Sequence, residues 1–357
     1  MKRIIIPCLC VLFIGCKEIP RELTVYNDVE SELFHYQGRT EPADNGRKLI
    51  SSAASVTFMA EGDSVHIYTK ALQNEYGFIE ITVNDTYLKR YKINSGEENK
   101  ISIALDAPQS KVEVFKATEA VNGGILFTGI EAEKLVPFED DRSLVMEFIG
   151  DSITCGYGAD TNSIPCDTGE WYDQHTAYWA YGSRIARASN AKYTLSSVSG
   201  MGMYRNWNDE DQMVMPDVYQ TTELDGDTTH LWNFPVTPQI VSICLGTNDL
   251  SDGDGEKERK PFDKEKFIEN YTTFVEGIYE RYPKVKVVLL NSPMVSGEKG
   301  ELLMECLESV QAHFEAEKPI FIFKFEGITP QGCDYHPDIN DHKKMAEMVI
   351  SDFKTLL

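Results

Sequence analysis

The stretch Val145-Met146-Glu147-Phe148-Ile149-Gly150-Asp151-Ser152 decides how the second half of this 357-residue chain is interpreted. Its apolar run predicts a buried strand, and Gly150, Asp151 and Ser152 form the tight turn that ends the strand. Open α/β sheets place their sites at the carboxyl ends of their strands, so the Ser152 hydroxyl is expected to stand where it can attack a carbonyl carbon. The same three residues are common in ordinary strand-ending turns, and the tripeptide alone therefore does not identify a catalytic serine.

The period of the sequence after Leu144 is typical of an α/β domain. Apolar runs occupy residues 145–149, 193–198, 239–245, 285–290 and 320–325, and helix-like stretches cover 178–188, 262–282, 301–316 and 341–357. Such alternation predicts a mostly parallel sheet with helices on both faces, a three-layer arrangement. We assign this domain to residues 143–357.

The preceding segment, residues 22–140, has a different pattern. Short alternating stretches at 64–68, 78–83, 100–103 and 111–115 predict strands, and polar turn clusters at 84–85 and 94–96 separate them. This pattern predicts an all-β sandwich with no long helix. The polar stretch 137–142 marks the boundary between the two domains.

The first sixteen residues have the features of an export signal. Lys2 and Arg3 precede an apolar stretch, residues 4–15, that is too short to span a bilayer as a mature helix. The signal segment ends in Phe13-Ile14-Gly15-Cys16, which resembles a bacterial lipoprotein box with Phe13 in place of the usual Leu. We therefore expect an exported lipoprotein, periplasmic or at the cell surface, anchored in the outer membrane through lipid on Cys16. Plain secretion is the alternative.

Charge and cysteine content argue against several classes of partner and against a metal cluster. The formal net charge of −23 argues against binding to nucleic acid or to anionic lipid, since both require an excess of Lys and Arg. Besides Cys16, the mature chain has an odd number of cysteines without Cys-x-x-Cys spacing, namely Cys155, Cys166, Cys244, Cys306 and Cys333. This pattern predicts no metal cluster, and we expect no cofactor. One disulfide is possible in an exported protein, but buried free thiols are the favoured interpretation.

Polar turns follow several of the predicted α/β strands. Ser199-Gly200-Met201-Gly202 follows the second strand, and Gly246-Thr247-Asn248-Asp249 follows the third. Asp334-Tyr335-His336-Pro337 lies beyond the fifth strand. Each turn has an ordinary explanation as a glycine turn or helix cap. Together, at one sheet edge, they supply the groups that ester hydrolysis requires.

Each of these groups has a predicted role. A serine hydroxyl is protonated near neutral pH, so His336 is the candidate base and Asp334 the candidate group that orients it. The backbone amides of Ser152 and Gly200 and the side-chain amide of Asn248 are candidate donors to the oxyanion of the tetrahedral intermediate.

These residues resemble the motifs of the SGNH (GDSL-type) hydrolases, and the resemblance is closest to carbohydrate esterase family 2. The segments that carry the resemblance to family 2 are Phe148–Gly158, Gly332–Pro337, Tyr36–Arg39 and Gly123–Ile130. The resemblance implies a jelly-roll domain followed by a flavodoxin-like SGNH domain. It also implies a serine esterase that removes O-acetyl groups from plant polysaccharides such as xylan or glucomannan, often at a primary 6-O position, through an acyl-enzyme.

One spacing departs from most SGNH enzymes. The acid and base are spaced Asp-x-His here, at Asp334 and His336, rather than Asp-x-x-His. In the carbohydrate esterase subgroup some members orient the histidine through backbone carbonyls, and this alternative stays open for His336.

The sequence is also compatible with other functions. The same machinery suits a lipase or thioesterase with another acyl group, and a glycan-binding lipoprotein without turnover is a third hypothesis. Aromatic side chains near the motifs are candidates for stacking on sugar, namely Tyr157, Tyr204, Trp207, Trp232 and Tyr335. His342 is expected at the surface or in a helix cap, and His175, His230 and His313 are expected to be structural.

Overall fold

The computed structural model describes residues 22–314 and 318–357. The predicted signal segment and Cys16 lie outside the described residues. Within the described ranges, no helix is both long and apolar enough to cross a membrane.

The first half of the described chain consists of ten antiparallel strands. Their bounds are β1 (Thr24–Tyr26), β2 (His35–Gln37), β3 (Thr40–Ala43), β4 (Gly46–Leu49), β5 (Ser55–Ala71), β6 (Tyr76–Val83), β7 (Thr86–Asn94), β8 (Asn99–Ala104), β9 (Gln109–Lys116) and β10 (Ile125–Val136). The alternating segments named from the sequence lie within β5, β6, β8 and β9. The predicted all-β domain is confirmed.

All ten strands are joined by hydrogen bonds because β5 pairs with several partners along its length. On one side, residues 55–61 of β5 pair with β9 and residues 64–69 pair with β8. The switch falls at Gly62, whose φ of 117° is in the region that favours glycine. Strand β10 pairs with β5 on the other side, and its register shifts twice. One apolar core lies among these strands, with Phe58 and Phe127 fully buried in it.

The second half is a five-stranded parallel sheet with helices on both faces. The strands are β11 (Leu144–Gly150), β12 (Ala191–Ser197), β13 (Ile240–Cys244), β14 (Lys286–Leu290) and β15 (Ile320–Phe323), in the spatial order β12-β11-β13-β14-β15. The helices are α1 (Ser152–Cys155), α2 (Tyr181–Ala188), α3 (Met215–Val218), α4 (Lys264–Arg281), α5 (Gly297–His313) and α6 (Ile339–Thr355). The predicted mostly parallel α/β fold is confirmed.

Strand β14 shows why these strands have continuous apolar sequences. Val287 and Leu289 belong to the core layer that contains α4 and α5, whereas Val288 and Leu290 belong to the layer that contains α2 and α6. Successive side chains of a strand point to opposite faces, so a strand covered on both faces is apolar at every position.

Helix α2 begins three residues later than predicted. Tyr178 was expected to be helical, but its amide donates a hydrogen bond to the Glu80 carboxylate of β6, at 3.1 Å. This contact with the β domain holds Tyr178 in the turn before α2, so the sequence of the helix alone does not reveal where it starts.

His342 lies in the interior, and its predicted place at the surface or in a cap is wrong. Its side chain is fully buried, and its Nδ1 accepts a hydrogen bond from the Tyr181 amide at 3.2 Å. His342 shares the buried face of α6 with Met345, and that face packs on α2. Burial lowers the pKa of His342 to about 3, so the ring is neutral.

The cysteines also differ from the favoured interpretation. Cys166 and Cys333 form a disulfide across 167 residues of sequence, whereas Cys155, Cys244 and Cys306 are buried free thiols. The pairing depends on two loops that meet only in the folded chain, and sequence spacing therefore gave no indication of it.

Candidate active site

Ser152 lies at the start of α1, directly after β11. Asp151 caps this helix, and its side chain accepts a hydrogen bond from the Ile153 amide at 3.0 Å. The turn requires glycine at position 150, because a Cβ there would lie 2.1 Å from Oγ1 of Thr154. The predicted strand and turn thus deliver the Ser152 hydroxyl to the carboxyl edge of the sheet.

His336 contacts Ser152, as expected for a base and its nucleophile. Nε2 of His336 lies 2.8 Å from Oγ of Ser152, although 184 residues separate the two in sequence. Nδ1 faces two carbonyl oxygens and therefore carries the proton, which leaves Nε2 as the acceptor. Burial lowers the pKa of His336 to about 4, against the effect of those backbone hydrogen bonds, and the ring is neutral near pH 7.

The predicted role of the Asp334 carboxylate is wrong, because the backbone of this segment orients His336. Nδ1 of His336 lies 2.9 Å from the carbonyl oxygen of Asp334 and 3.2 Å from that of Cys333. The Asp334 carboxylate instead accepts a hydrogen bond from the Tyr157 hydroxyl at 2.7 Å. Asp334 has a φ of 50°, in the left-handed region. In this conformation its carbonyl oxygen faces the imidazole of His336, whereas its carboxylate does not.

The candidate oxyanion donors lie around the same edge. Nδ2 of Asn248 donates to the carbonyl of Met201 at 2.8 Å and lies 3.3 Å from the Asp151 carboxylate. Burial raises the pKa of Asp151 to about 7. Gly200 has a φ of 79°, and a Cβ there would lie 2.8 Å from the Trp207 ring. Hydrogen bonds therefore join the Asn248 amide both to the Gly200 turn, through Met201, and to Asp151, the residue before Ser152.

Asp249 supports this network in a way that the sequence analysis missed. Its buried carboxylate accepts hydrogen bonds from the amides of Met203, Tyr204 and Arg205, at distances from 2.8 to 3.3 Å. Burial raises the pKa of Asp249 to about 6, against the effect of these bonds. Asp249 thus holds the loop that follows Gly200. Its position beside Asn248 was the available signal, but capping a helix explained it equally well.

Several aromatic side chains surround His336 and Gly200. The Tyr157 ring lies 4.3 Å from the His336 ring and 5.9 Å from Trp171, which it stacks on. Trp171, Trp207 and Tyr335 are 45%, 41% and 87% exposed. The predicted candidates Tyr157, Trp207 and Tyr335 therefore lie near the site. Trp171 was missed because it follows none of the motifs in the sequence.

Trp232 lies elsewhere, and its assignment to the substrate site is wrong. It lines a cavity of about 450 Å³ together with Val145 and Lys192, which lie at the amino-terminal ends of β11 and β12. Parallel strands place those ends opposite the edge that carries Ser152. The ring of Trp232 lies 5.4 Å from the Arg39 guanidinium. The loop between β12 and β13 is long, and sequence order did not show to which end of the sheet it returns.

One group of side chains in the described ranges has the spacing of possible metal ligands. Donor atoms of Glu41, Glu223 and His230 lie within 4.8 Å of one another. However, the Lys48 ammonium is paired with Glu223 and lies 3.6 Å from Glu41. A cation of the protein already balances these carboxylates, so this group gives no support to a metal.

Comparison with known proteins matches both halves of the chain. Residues 36–138 match the family described as carbohydrate esterase 2 N-terminal, and residues 148–317 match the GDSL-like lipase/acylhydrolase family. A relative from Cellvibrio japonicus, an acetylxylan esterase / glucomannan deacetylase, is 28% identical over 258 residues, which are 70% of each chain. The cellulase/esterase CelE of Acetivibrio thermocellus is 26% identical over 92% of this chain but only 40% of its own length.

Solved structures show the same two-part architecture. A family two carbohydrate esterase from Clostridium thermocellum, in complex with cellohexaose, superposes with a TM-score of 0.78 at 25% identity. The alignment covers 90% of this chain and 98% of that one. A family two carbohydrate esterase from Cellvibrio japonicus has the same fold, with a TM-score of 0.81 over 94% and 97% of the two chains at 20% identity. The chain thus combines a carbohydrate esterase 2 N-terminal domain with a GDSL-like lipase/acylhydrolase domain, the two-domain organisation of family two carbohydrate esterases, and its enzyme class is carboxylic ester hydrolase.

Proposed function

We propose that this protein removes O-acetyl groups from plant-type polysaccharides or oligosaccharides, such as xylan or glucomannan, with a primary 6-O-acetyl as one candidate position. The observation that carries the proposal is the 2.8 Å contact between Ser152 Oγ and His336 Nε2 at the carboxyl edge of the sheet. The names of the relatives, which include acetylxylan esterase and glucomannan deacetylase, support the acetylated glycan as substrate.

The chemistry follows from this contact. Oγ of Ser152 attacks the acetyl carbonyl carbon while Nε2 of His336 takes the hydroxyl proton. The negative charge on the former carbonyl oxygen is met by the amides of Ser152 and Gly200 and by Asn248. The C–O bond to the sugar then breaks, and the sugar oxygen leaves with the proton from His336. Water, deprotonated by His336, cleaves the acetyl-serine, which releases acetate and restores Ser152.

The surroundings of Ser152 fit a sugar ester. Trp171, Trp207 and Tyr335 offer partly exposed aromatic faces near the site, and such faces stack on sugar rings. A neutral polysaccharide such as glucomannan suits a chain with a formal net charge of −23.

Ser152→Ala tests the proposal on acetylated xylan, acetylated glucomannan and p-nitrophenyl acetate. We expect the variant to lose about 10⁴-fold or more in turnover, because the nucleophile is absent. Ser309→Ala, an exposed serine of α5, is the control and should match the wild type. NMR of the products reports which acetyl group is removed. Equal activity of Ser152→Ala and wild type would refute the assignment.

The alternative acyl specificity is tested by a series of p-nitrophenyl esters. A preference for long acyl chains supports a lipase or thioesterase and contradicts an acetyl site. Glycan binding without turnover of any ester supports the third hypothesis, a binding lipoprotein.

We also propose that the protein is a lipoprotein anchored through Cys16. The support is the sequence of residues 1–16, with its basic start, short apolar segment and terminal cysteine. Metabolic labelling with a fatty acid should mark the wild type and not Cys16→Ser. Equal labelling of both proteins would exclude this site.

A further inference from the structure

A carboxylate of the β domain is buried beside the candidate oxyanion turn. Glu119 follows β9 and is fully buried. Its carboxylate accepts hydrogen bonds from Nε2 of His175 at 3.1 Å, from the Ser199 amide at 2.6 Å and from the Ser199 hydroxyl. The thiol of Cys155, at the end of α1, lies 3.4 Å from the same carboxylate. Glu119 therefore links the β domain to the residue directly before Gly200.

The turn that contains Ser199 and Gly200 has two possible backbone forms. The Met201 amide donates to the carbonyl of Val198 at 3.4 Å, so residues 198–201 form a β-turn. Gly200 at its third position has a φ of 79°, while Ser199 does not have a positive φ, which makes the turn type II. In a type I turn the peptide between Ser199 and Gly200 is turned over. The choice between these forms therefore decides where the Gly200 N–H points.

Contacts on both sides of this peptide hold the turn in place. Glu119 holds the amide and the hydroxyl of Ser199 on one side, and the Trp207 amide donates to the carbonyl of Gly200 at 3.0 Å on the other. Glu119 itself is held by its main chain, because the buried Lys116 ammonium donates to its carbonyl at 2.6 Å. The carboxylate thus has a defined position from which to orient the turn.

The charge of Glu119 strengthens these contacts. Burial alone raises its pKa, but the hydrogen bonds from His175 and Ser199 outweigh burial and hold the pKa below its usual value. His175 is also fully buried, and burial lowers its pKa despite the neighbouring carboxylate. Nε2 of His175 thus donates to an ionised Glu119 carboxylate. Hydrogen bonds to an ionised acceptor are roughly twice as strong as neutral ones.

We propose that Glu119 is a positioning residue through which the β domain aims the Gly200 N–H at the oxyanion. The proposal rests on the function proposed above, in which Gly200 is an oxyanion donor. It gives the β domain a part in turnover that does not require contact with the substrate.

Glu119→Gln tests this proposal, because it changes one atom without changing size. The side-chain NH₂ group must then replace either the oxygen that faces the Ser199 amide or the oxygen that faces the Ser199 hydroxyl and His175, and each of these groups donates to the carboxylate in the wild type. With the Gly200 N–H misdirected, we expect kcat for p-nitrophenyl acetate to fall about tenfold to a hundredfold, since loss of one oxyanion donor costs on the order of a hundredfold or more. KM should change less than about threefold, because the donor acts in the transition state.

Glu80→Gln is the matched control. Glu80 is also a fully buried glutamate of the β domain, and its carboxylate accepts hydrogen bonds from Thr176 and from the Tyr178 amide of the α/β domain. Burial raises the pKa of Glu80, so a neutral amide is a close mimic of its side chain. This variant should retain the kcat of the wild type. Loss of kcat in both variants to the same extent would mean a general structural role and would overturn the proposal.

A second variant and a second readout keep the proposal testable if Glu119→Gln folds poorly, as judged by near-UV circular dichroism. Ser199→Ala removes only the hydroxyl contact and should lower kcat several-fold with the fold intact. Affinity for a boronic acid, which forms a tetrahedral adduct with the serine, should weaken in parallel with kcat. Unchanged kcat and boronate affinity in the folded variants would overturn the proposal. A wild type without esterase activity would instead refute the proposed function.

Discussion

Main-chain oxygens orient the candidate base of this site. The imidazole of His336 is held through Nδ1 by the carbonyls of Asp334 and Cys333, while the Asp334 carboxylate binds Tyr157. A carbonyl dipole selects the same tautomer as a carboxylate but stabilises an imidazolium less, because it carries no full charge. This agrees with the lowered pKa of His336.

Asp334→Asn tests whether main-chain carbonyls, and not the Asp334 carboxylate, orient His336. Asparagine tolerates the left-handed conformation of Asp334 and can still accept the Tyr157 hydrogen bond. We expect kcat within about threefold of the wild type, whereas the equivalent change of an orienting carboxylate in a serine protease costs about 10⁴-fold. Steady-state kinetics on p-nitrophenyl acetate measure the effect, with His336→Ala as the inactive reference. A loss above about a hundredfold would restore the carboxylate to the catalytic set.

The pH dependence of kcat/KM is a second residue-level prediction. Only neutral His336 can take the serine proton, so activity is present above its pKa and is lost as pH falls through that value. Because burial lowers the pKa of His336 to about 4, the acid midpoint is expected near pH 4 and not near the ordinary value of 6.5.

A pH profile of p-nitrophenyl acetate hydrolysis measures this midpoint. Samples returned from each pH to pH 7 must recover full activity, which separates titration from acid unfolding. A reversible midpoint at about 6.5 would show that His336 is not desolvated in the free enzyme.

At the level of elements, the segment after β15 is tied to the segment after α1. Cys333 forms the disulfide with Cys166, its amide donates to the carbonyl of Gly158 at 3.0 Å, and its carbonyl faces His336. These contacts place the histidine segment against the segment that carries Trp171. The disulfide therefore lies in the segment that holds the candidate base, His336.

Cys166→Ser should weaken both the fold and the site. Loss of a native disulfide costs about 2 to 4 kcal/mol in the free energy of unfolding, and a long closed loop places this one toward the upper end. We also expect kcat to fall several-fold as the His336 segment loosens. Urea unfolding under oxidising conditions measures the first effect, and wild type with reductant should reproduce the variant. An unchanged unfolding midpoint would show that other contacts hold this segment.

At the level of the whole molecule, the two domains share a buried polar interface. Arg39, fully buried, donates from the β domain to the carbonyls of Thr221 and Tyr219 and to the hydroxyl of Ser196. Ser196 and Tyr219 in turn donate to Glu147 of β11. Glu80 and Glu119 of the β domain accept hydrogen bonds from the α/β domain at other points, namely from the amides of Tyr178 and Ser199. These buried side chains of the β domain are hydrogen-bonded to the α/β domain at three separate points, so we infer that the two domains act as one unit.

The sequence by itself determined the five strands of the α/β sheet, four of the ten strands of the β domain, most of the helices and the convergence of Ser152, Gly200, Asn248 and His336. Hydrophobic periodicity is a local property, and parallel strands bring their carboxyl ends to one edge whatever their lengths. Only the tertiary structure decided the Cys166–Cys333 pair, the burial of His342 and the site that Trp232 lines. These depend on which distant segments meet. The same reason explains why the Asp334 carbonyl, rather than its side chain, faces His336, and why a glutamate of the β domain lies beside Gly200.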